Sequence, residues 1–384
     1  MRKDVAELLH QTWQSPVFGD SFGLVGPEGL AQAKRQLSEI AGVTSQELCG
    51  YIMDASPDIA PADVAAVVSK EILPKTTAFC PALTVGEIND GPRLSSLATA
   101  VGLMYWADQS MDRGDRAVQQ AVEWLTADDE SAGSVKVSAP VGAAGLALQS
   151  LTRIAHNVGE FARPEDAPYV LNCFYDQVLQ NEARMRRLSD DYLAAANPYN
   201  FLGERAEEIV QTVTVNAGFP SISSSLYAIY RHHRDWPALA DVYADPHMTA
   251  LLQACNATVR LWDELGDWKM DRGDDPATGI FTINLCNEYH PKIIAAFSER
   301  AGIYDAERLR QLQESCADFY EGDNTARPVH VRRIETIMLE HIRDYMHIFP
   351  RGTARDFAPY IGLCKRVLEI GYVNRIGDIA LMAK

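Results

Sequence analysis

Apolar residues recur every three or four positions through almost the whole chain, and this one regularity excludes most folds. Stretches such as "RLSSLATAVGLMYWADQSMD", "PYVLNCFYDQVLQNEARMRRL", "MTALLQACNATVRLWDELGDW", "AERLRQLQESCADFYEG" and "RRIETIMLEHIRDYMHIF" all keep it. It is the pattern of helices that bury one face. There is no convincing alternating strand series and no hairpin signal. The breakers are local: Asn197-Pro198, Trp236-Pro237, Asp245-Pro246, Asp275-Pro276, Arg327-Pro328 and Phe349-Pro350 each stand where one helical pattern stops. Long helices with short joints predict an all-α bundle. Residues 1–80 read differently, with the Gly/Pro-rich loop "SPVFGDSFGLVGPEG" and then shorter helices. They are expected to be an accessory N-terminal helical segment packed on a main helical domain of residues 81–384.

Length and charge narrow the function. A chain of 384 residues with 47% hydrophobic residues has enough apolar surface for a large core. Its formal charge of −17 argues against a nucleic-acid partner and against docking on anionic lipid. Gln211 to Tyr230 carries no formal charge, but "QTVTVNAGFPSISSSLYAIY" is too polar for a membrane span. The seven cysteines are odd in number and scattered, without a Cys-x-x-Cys pair, which predicts reduced thiols in a cytoplasmic protein. The start, "MRKDVAELLHQTW", lacks the apolar run of a secretory signal. No P-loop, His-Glu-x-x-His or Gly-x-Gly-x-x-Gly frame occurs.

A second regularity carries the chemistry. The frame Asp-x-x-Met-Asp-Arg-Gly-Asp is written twice, as "DQSMDRGD" from Asp108 and "DWKMDRGD" from Asp267. Asp108 and Asp112 are spaced i, i+4, and Asp263, Asp267 and Asp271 extend the second set to i, i+4, i+8. On a helix each set shares one face, with about 6 Å of rise between neighbours. Like charges at that spacing repel by roughly 0.2–0.5 kcal/mol per pair, and Asp is a weak helix former. Gly114 and Gly273 read as the residues just past each helix end, so the acids fall in final turns, where the macrodipole disfavours negative charge. A solvated acidic face is the plain alternative. It weakens when two runs share one spacing, follow apolar aromatic segments and occupy unfavourable helix ends. A hard divalent cation removes the conflict. Mg²⁺ takes carboxylate oxygens, keeps several waters and fills its shell with substrate phosphates. Two facing clusters would bind a diphosphate through bridging metals.

These residues resemble the class I isoprenoid-diphosphate enzymes, which include terpene synthases and prenyl-chain synthases. That family is an all-α helical bundle with a central active-site cavity. It carries an aspartate-rich motif on one helix and a second metal triad, Asn/Asp-x3-Ser/Thr/Asp-x3-Glu/Asp, on a facing one. Asp108 and Asp112 match the outer acids of the first motif, and Asp263, Asp267 and Asp271 match all three positions of the second. The resemblance covers about residues 85–350. It implies that these five aspartates are the metal ligands and catalytic groups, holding three Mg²⁺ per site.

The departures from the family pattern are specific. Gln109 stands at the second position of the first motif, which leaves the outer acids in place. The basic residue of the second motif is Met270 here, with Lys269 or Arg272 as substitutes on the diphosphate. The diphosphate-sensing Arg of the family lies four before a helix-breaking Gly. If that Gly is Gly218, the sensor position holds Thr214. Gly218, with Pro220, is expected to break a buried helix beside the departing diphosphate. A C-terminal Arg-Tyr pair is loosely echoed by Arg343 and Tyr345.

The resemblance implies a terpene synthase: a lyase of isoprenoid biosynthesis that ionises a linear prenyl diphosphate with Mg²⁺ and cyclises the carbocation. Residues 81–384 would then be the catalytic domain. Dimers are frequent in the family, so a homodimer is a further expectation. The rivals are a chain-elongating or head-to-head prenyltransferase on the same fold and a non-enzymatic helical scaffold. The first would need a second diphosphate site, and only Lys269, Arg272 and Arg113 lie close to the motifs.

Overall fold

The computed structural model describes residues 27–55, 60–68, 90–112, 153–176, 183–215, 218–271, 290–322, 326–365 and 367–368. These residues are overwhelmingly helical, and among them there is no strand. The fold class is all-α. None of the described helices is long and apolar enough to cross a membrane. The chain divides into two compact units, one of Met1–Leu179 with Ser221–Ala240 and one of Gln180–Pro220 with Asp241–Lys384.

In the first unit the helix Pro27–Ala55 packs along Gly91–Asp112 and against Pro61–Val67. Gly91–Asp112 is apolar nearly all round, and Leu94, Leu97, Ala98, Val101, Leu103 and Met104 are buried along it. Such a helix belongs inside a core rather than on a surface. Its buried Thr99 donates to Glu47 Oε2 at 2.7 Å, which fixes its register against Pro27–Ala55. Asp90 caps its start: its carboxylate accepts from the Arg93 backbone N–H at 3.3 Å, from Arg93 Nη1 at 2.7 Å and from His233 Nε2 at 2.8 Å. Burial pushes that carboxyl upward, but the Arg93 and His233 hydrogen bonds outweigh it, and the net shift is downward.

The same unit closes the 234–238 connection with aromatic rings. Trp236 stacks on Tyr227 and Tyr230 at 5.1 and 5.0 Å, and the Tyr227 hydroxyl donates to the Pro237 carbonyl at 3.0 Å. Tyr227 thus buries an apolar body while keeping its polar end satisfied.

In the second unit short polar residues cap the helix starts, two of them at the breakers Asn197-Pro198 and Asp245-Pro246. Asn197 accepts from Asn200 N at 3.1 Å ahead of Pro198–Glu204, and Asp305 from Arg308 N at 2.8 Å ahead of Ala306–Glu321. Asp245 accepts from the backbone N–H groups of His247 and Met248 ahead of Pro246–Asp271. Short polar side chains satisfy the orphan amides of a first turn, and proline fits there because it has none to satisfy. The helix Pro291–Arg300 ends on Gly302, whose φ of 75° is left-handed. Gly302 N bonds back to Glu299 O and Ile303 N to Ser298 O, a Schellman closure. Arg327–His347 packs on Ala306–Glu321 and on Pro246–Asp271, and Ala206–Val213 packs on Pro291–Arg300. The core between them holds Ile209, Leu251, Phe297, Leu312, Ile334 and Met338.

Candidate metal and diphosphate site

The two carboxylate sets sit on the two helices whose continuity the spacing argument requires. Asp108 and Asp112 belong to Gly91–Asp112, and Asp263, Asp267 and Asp271 to Pro246–Asp271. The backbone is helical through every one of these positions, so each set occupies one helix face in the last described turns. Their side chains, with that of Lys269, lie outside what the structure describes, and Arg272 lies outside the described residues altogether. The first set belongs to the first unit and the triad to the second.

As a donor set the five positions offer carboxylate oxygens only. Hard oxygen donors without thiolate or imidazole suit Mg²⁺ rather than a soft or borderline metal. Among the described residues no group of three or more His, Cys, Asp or Glu gathers to hold a metal.

The helix break expected at Gly218 is present in the backbone. Ala206–Val213 ends at Thr214, whose φ and ψ of −104° and 7° leave the helix. Gly218 takes φ 86°, in the left-handed region that favours glycine, and the next helix runs Phe219–His233. Thr214 is buried, and its hydroxyl donates back to the Val210 carbonyl at 2.5 Å. Its own carbonyl, freed by the break, accepts from Asn256 Nδ2 at 2.7 Å. Asn256 is 2% exposed and belongs to Pro246–Asp271. One side chain therefore joins the break to the helix that carries the triad. Sequence reasoning missed Asn256, although a signal exists: it lies seven positions before Asp263, two turns along the same helix face.

Arg343 and Tyr345 both belong to Arg327–His347 and lie on different sides of it. Two positions apart, they project about 200° from one another around the axis. Arg343 is exposed, whereas Tyr345 is half-buried in a row of rings, 6.1 Å from His341 and 5.5 Å from Phe349. Burial raises the Tyr345 phenol above its ordinary range, and Tyr304 and Cys255 add to the shift. Of the candidate residues, the structure joins the Gly218 break, through Thr214 and Asn256, to the helix that carries the triad, and it puts Arg343 and Tyr345 on different faces.

The described cysteines, Cys49, Cys173, Cys255, Cys316 and Cys364, are all free. Burial holds the Cys255 thiol well above its usual range, with a hydrogen bond to Cys364 adding to it, and pushes Cys316 up to about 12. Neither is a nucleophile at neutral pH. No family model, no curated protein and no solved structure matches this chain.

Proposed function

We propose that this chain is a class I terpene synthase, an all-α bundle whose central cavity accepts a linear prenyl diphosphate and turns it into a cyclic hydrocarbon or alcohol. The observation that carries the reading is the pair of acidic sets, Asp108 with Asp112 and Asp263 with Asp267 and Asp271, at i, i+4 spacing on two long continuous helices. Neither helix profits from these charges by itself, since they repel along one face and stand near a helix C-terminus.

When bound, Mg²⁺ supplies positive charge against the diphosphate leaving group. The residues around it have separate tasks. The five aspartates hold the cations. Lys269 and Arg272 take diphosphate oxygens, in place of the basic residue that Met270 displaces. The break at Gly218 turns backbone dipoles toward the departing group, in a site where low dielectric strengthens them. Apolar helices keep water from the allylic cation once the C–O bond has broken, so ring closure outruns capture by solvent. Proton loss to the released diphosphate, or late entry of one water, ends the sequence.

The test is incubation of the purified chain with Mg²⁺ and prenyl diphosphates of ten, fifteen, twenty and twenty-five carbons, with products resolved by gas chromatography and mass spectrometry. A cyclic product from one chain length is the expected result. Linear alcohols alone would overturn the cyclase reading, and a longer prenyl diphosphate would replace it with chain elongation.

A further inference from the structure

The reading above leaves the helix break without its family anchor, because Thr214 occupies the position of the diphosphate-sensing Arg and turns its hydroxyl back onto Val210. A break with free carbonyls inside a core is costly unless something holds it, since each unpaired buried acceptor loses its water. In this chain the holder comes from another helix, 42 residues away: Asn256 Nδ2 donates to the Thr214 carbonyl at 2.7 Å, with both residues buried. The position of that donor on its own helix is the informative part. Asn256 and Asp263 are seven apart, Asn256 and Asp267 eleven, so all three fall on nearly one line along Pro246–Asp271. Seven residues correspond to about 10 Å of rise. The break is thus attached to the triad's own face, two turns from its first acid.

We propose that Asn256 is a positioning residue, which sets the Thr214–Gly218 break at a fixed depth against the helix face bearing Asp263, Asp267 and Asp271. This inference deepens the terpene synthase reading and rests on it for its catalytic consequence. A helix break that drifts by an ångström misplaces its dipoles relative to the diphosphate, and the resulting loss falls on the ionisation step rather than on substrate affinity. Asn256 touches neither metal nor substrate in this scheme and acts only through the break.

Asn256→Asp is the sharpest variant, since it keeps the volume and exchanges the donor for an acceptor. Asn256→Ala serves where the buried acid prevents folding. Two measurements on the full chain separate the claims. The first is amide hydrogen exchange by mass spectrometry: faster exchange in the 211–220 peptides, with the 306–321 peptides unchanged, is expected, and unaltered exchange at 211–220 would overturn the proposal. The second is steady-state turnover of the prenyl diphosphate accepted by the wild type. A kcat at least about tenfold lower, with KM within about twofold and a changed product ratio, is expected. A folded variant with loosened exchange but full kcat and the same products would reduce the bond to a structural one and overturn the positioning role. If the wild type turns over no prenyl diphosphate, the terpene synthase reading fails by itself, and the exchange measurement still decides whether Asn256 holds the break.

Discussion

Asp166 and Arg231 form a buried ion pair across 65 residues of sequence, with Asp166 fully enclosed and Arg231 6% exposed. The pair is the centre of a small network. The other Asp166 oxygen accepts from the Leu239 backbone N–H at 3.0 Å, and Arg231 Nε donates to the Trp236 carbonyl at 3.1 Å. Arg163 donates to the Arg231 carbonyl. The last turn of Phe219–His233, the 234–238 connection and the start of Leu239–Ala244 are thereby tied to the turn ahead of Ala167–Tyr175.

Removing Asp166 leaves the buried Arg231 with the longer contact of its Nη1 to the exposed Glu165, at 3.5 Å. Asp166→Ala is expected to destabilise the chain by about 3–5 kcal/mol, the usual result of orphaning a buried ion. Urea denaturation followed by circular dichroism measures it. A loss below about 1 kcal/mol would mean that Arg231 finds water or another carboxylate without difficulty.

His290 gives the fold a pH dependence. Its Nδ1 accepts from the Lys292 backbone N–H at 3.2 Å and caps Pro291–Arg300, a role open only to the neutral ring. Burial lowers its pKa from the ordinary 6.5, and the Lys292 charge lowers it further. The unfolded chain then takes up the proton first, so the cap's contribution is complete above about 6.5 and is lost as pH falls toward the folded-state value. The buried His341 shifts the same way, chiefly by burial. Melting temperature should decline as pH falls below about 6.5, and His290→Asn, which retains a capping oxygen, should flatten part of that decline. An unchanged slope in the variant would place the acid sensitivity elsewhere.

Gly203 makes the same ring a packing constraint. A Cβ there would stand 2.7 Å from His290 Nε2 and 2.8 Å from Cε1, closer than non-bonded atoms approach. Gly203→Ala should force the imidazole aside and cost about 1–3 kcal/mol, as overpacking does. Equilibrium unfolding at pH 8, where His290 is neutral in both states, isolates this steric cost from the titration.

Asp108→Asn and Asp112→Asn should each reduce turnover at least about tenfold, because losing one metal ligand raises the ionisation barrier by more than about 1.4 kcal/mol. The fold should survive, as judged by unchanged helical circular dichroism. Full activity of both variants at limiting Mg²⁺ would leave the first motif as ordinary surface charge.

The triad offers a test that requires no turnover. Together Mg²⁺ and inorganic diphosphate should raise the melting temperature more than either alone, since a ligand that binds only the folded state adds about 2.7 kcal/mol at a hundredfold excess over Kd. Asp263→Asn combined with Asp271→Asn removes a like-charge conflict, so the metal-free protein should melt higher and the joint shift should vanish. Lower metal-free stability with the shift retained would make these acids structural partners instead.

What the sequence determined by itself is everything that depends on residues within about four positions of one another. The helical class follows from apolar spacing, the helix boundaries at Asn197-Pro198 and Asp245-Pro246 from their breakers, and the break at Gly218 from a Gly-Phe-Pro triplet in a buried stretch. The shared face of Asp263, Asp267 and Asp271 is of the same kind, because a helix converts spacing directly into direction. Tertiary structure decided which distant groups meet. Nothing local to Asn256 specifies the Thr214 carbonyl as its acceptor, nothing near Asp166 names Arg231, and the Gly203 backbone leaves room for the His290 ring only once two helices have docked. Such contacts depend on the packing of whole helices, where many side chains jointly set a position that no short stretch encodes.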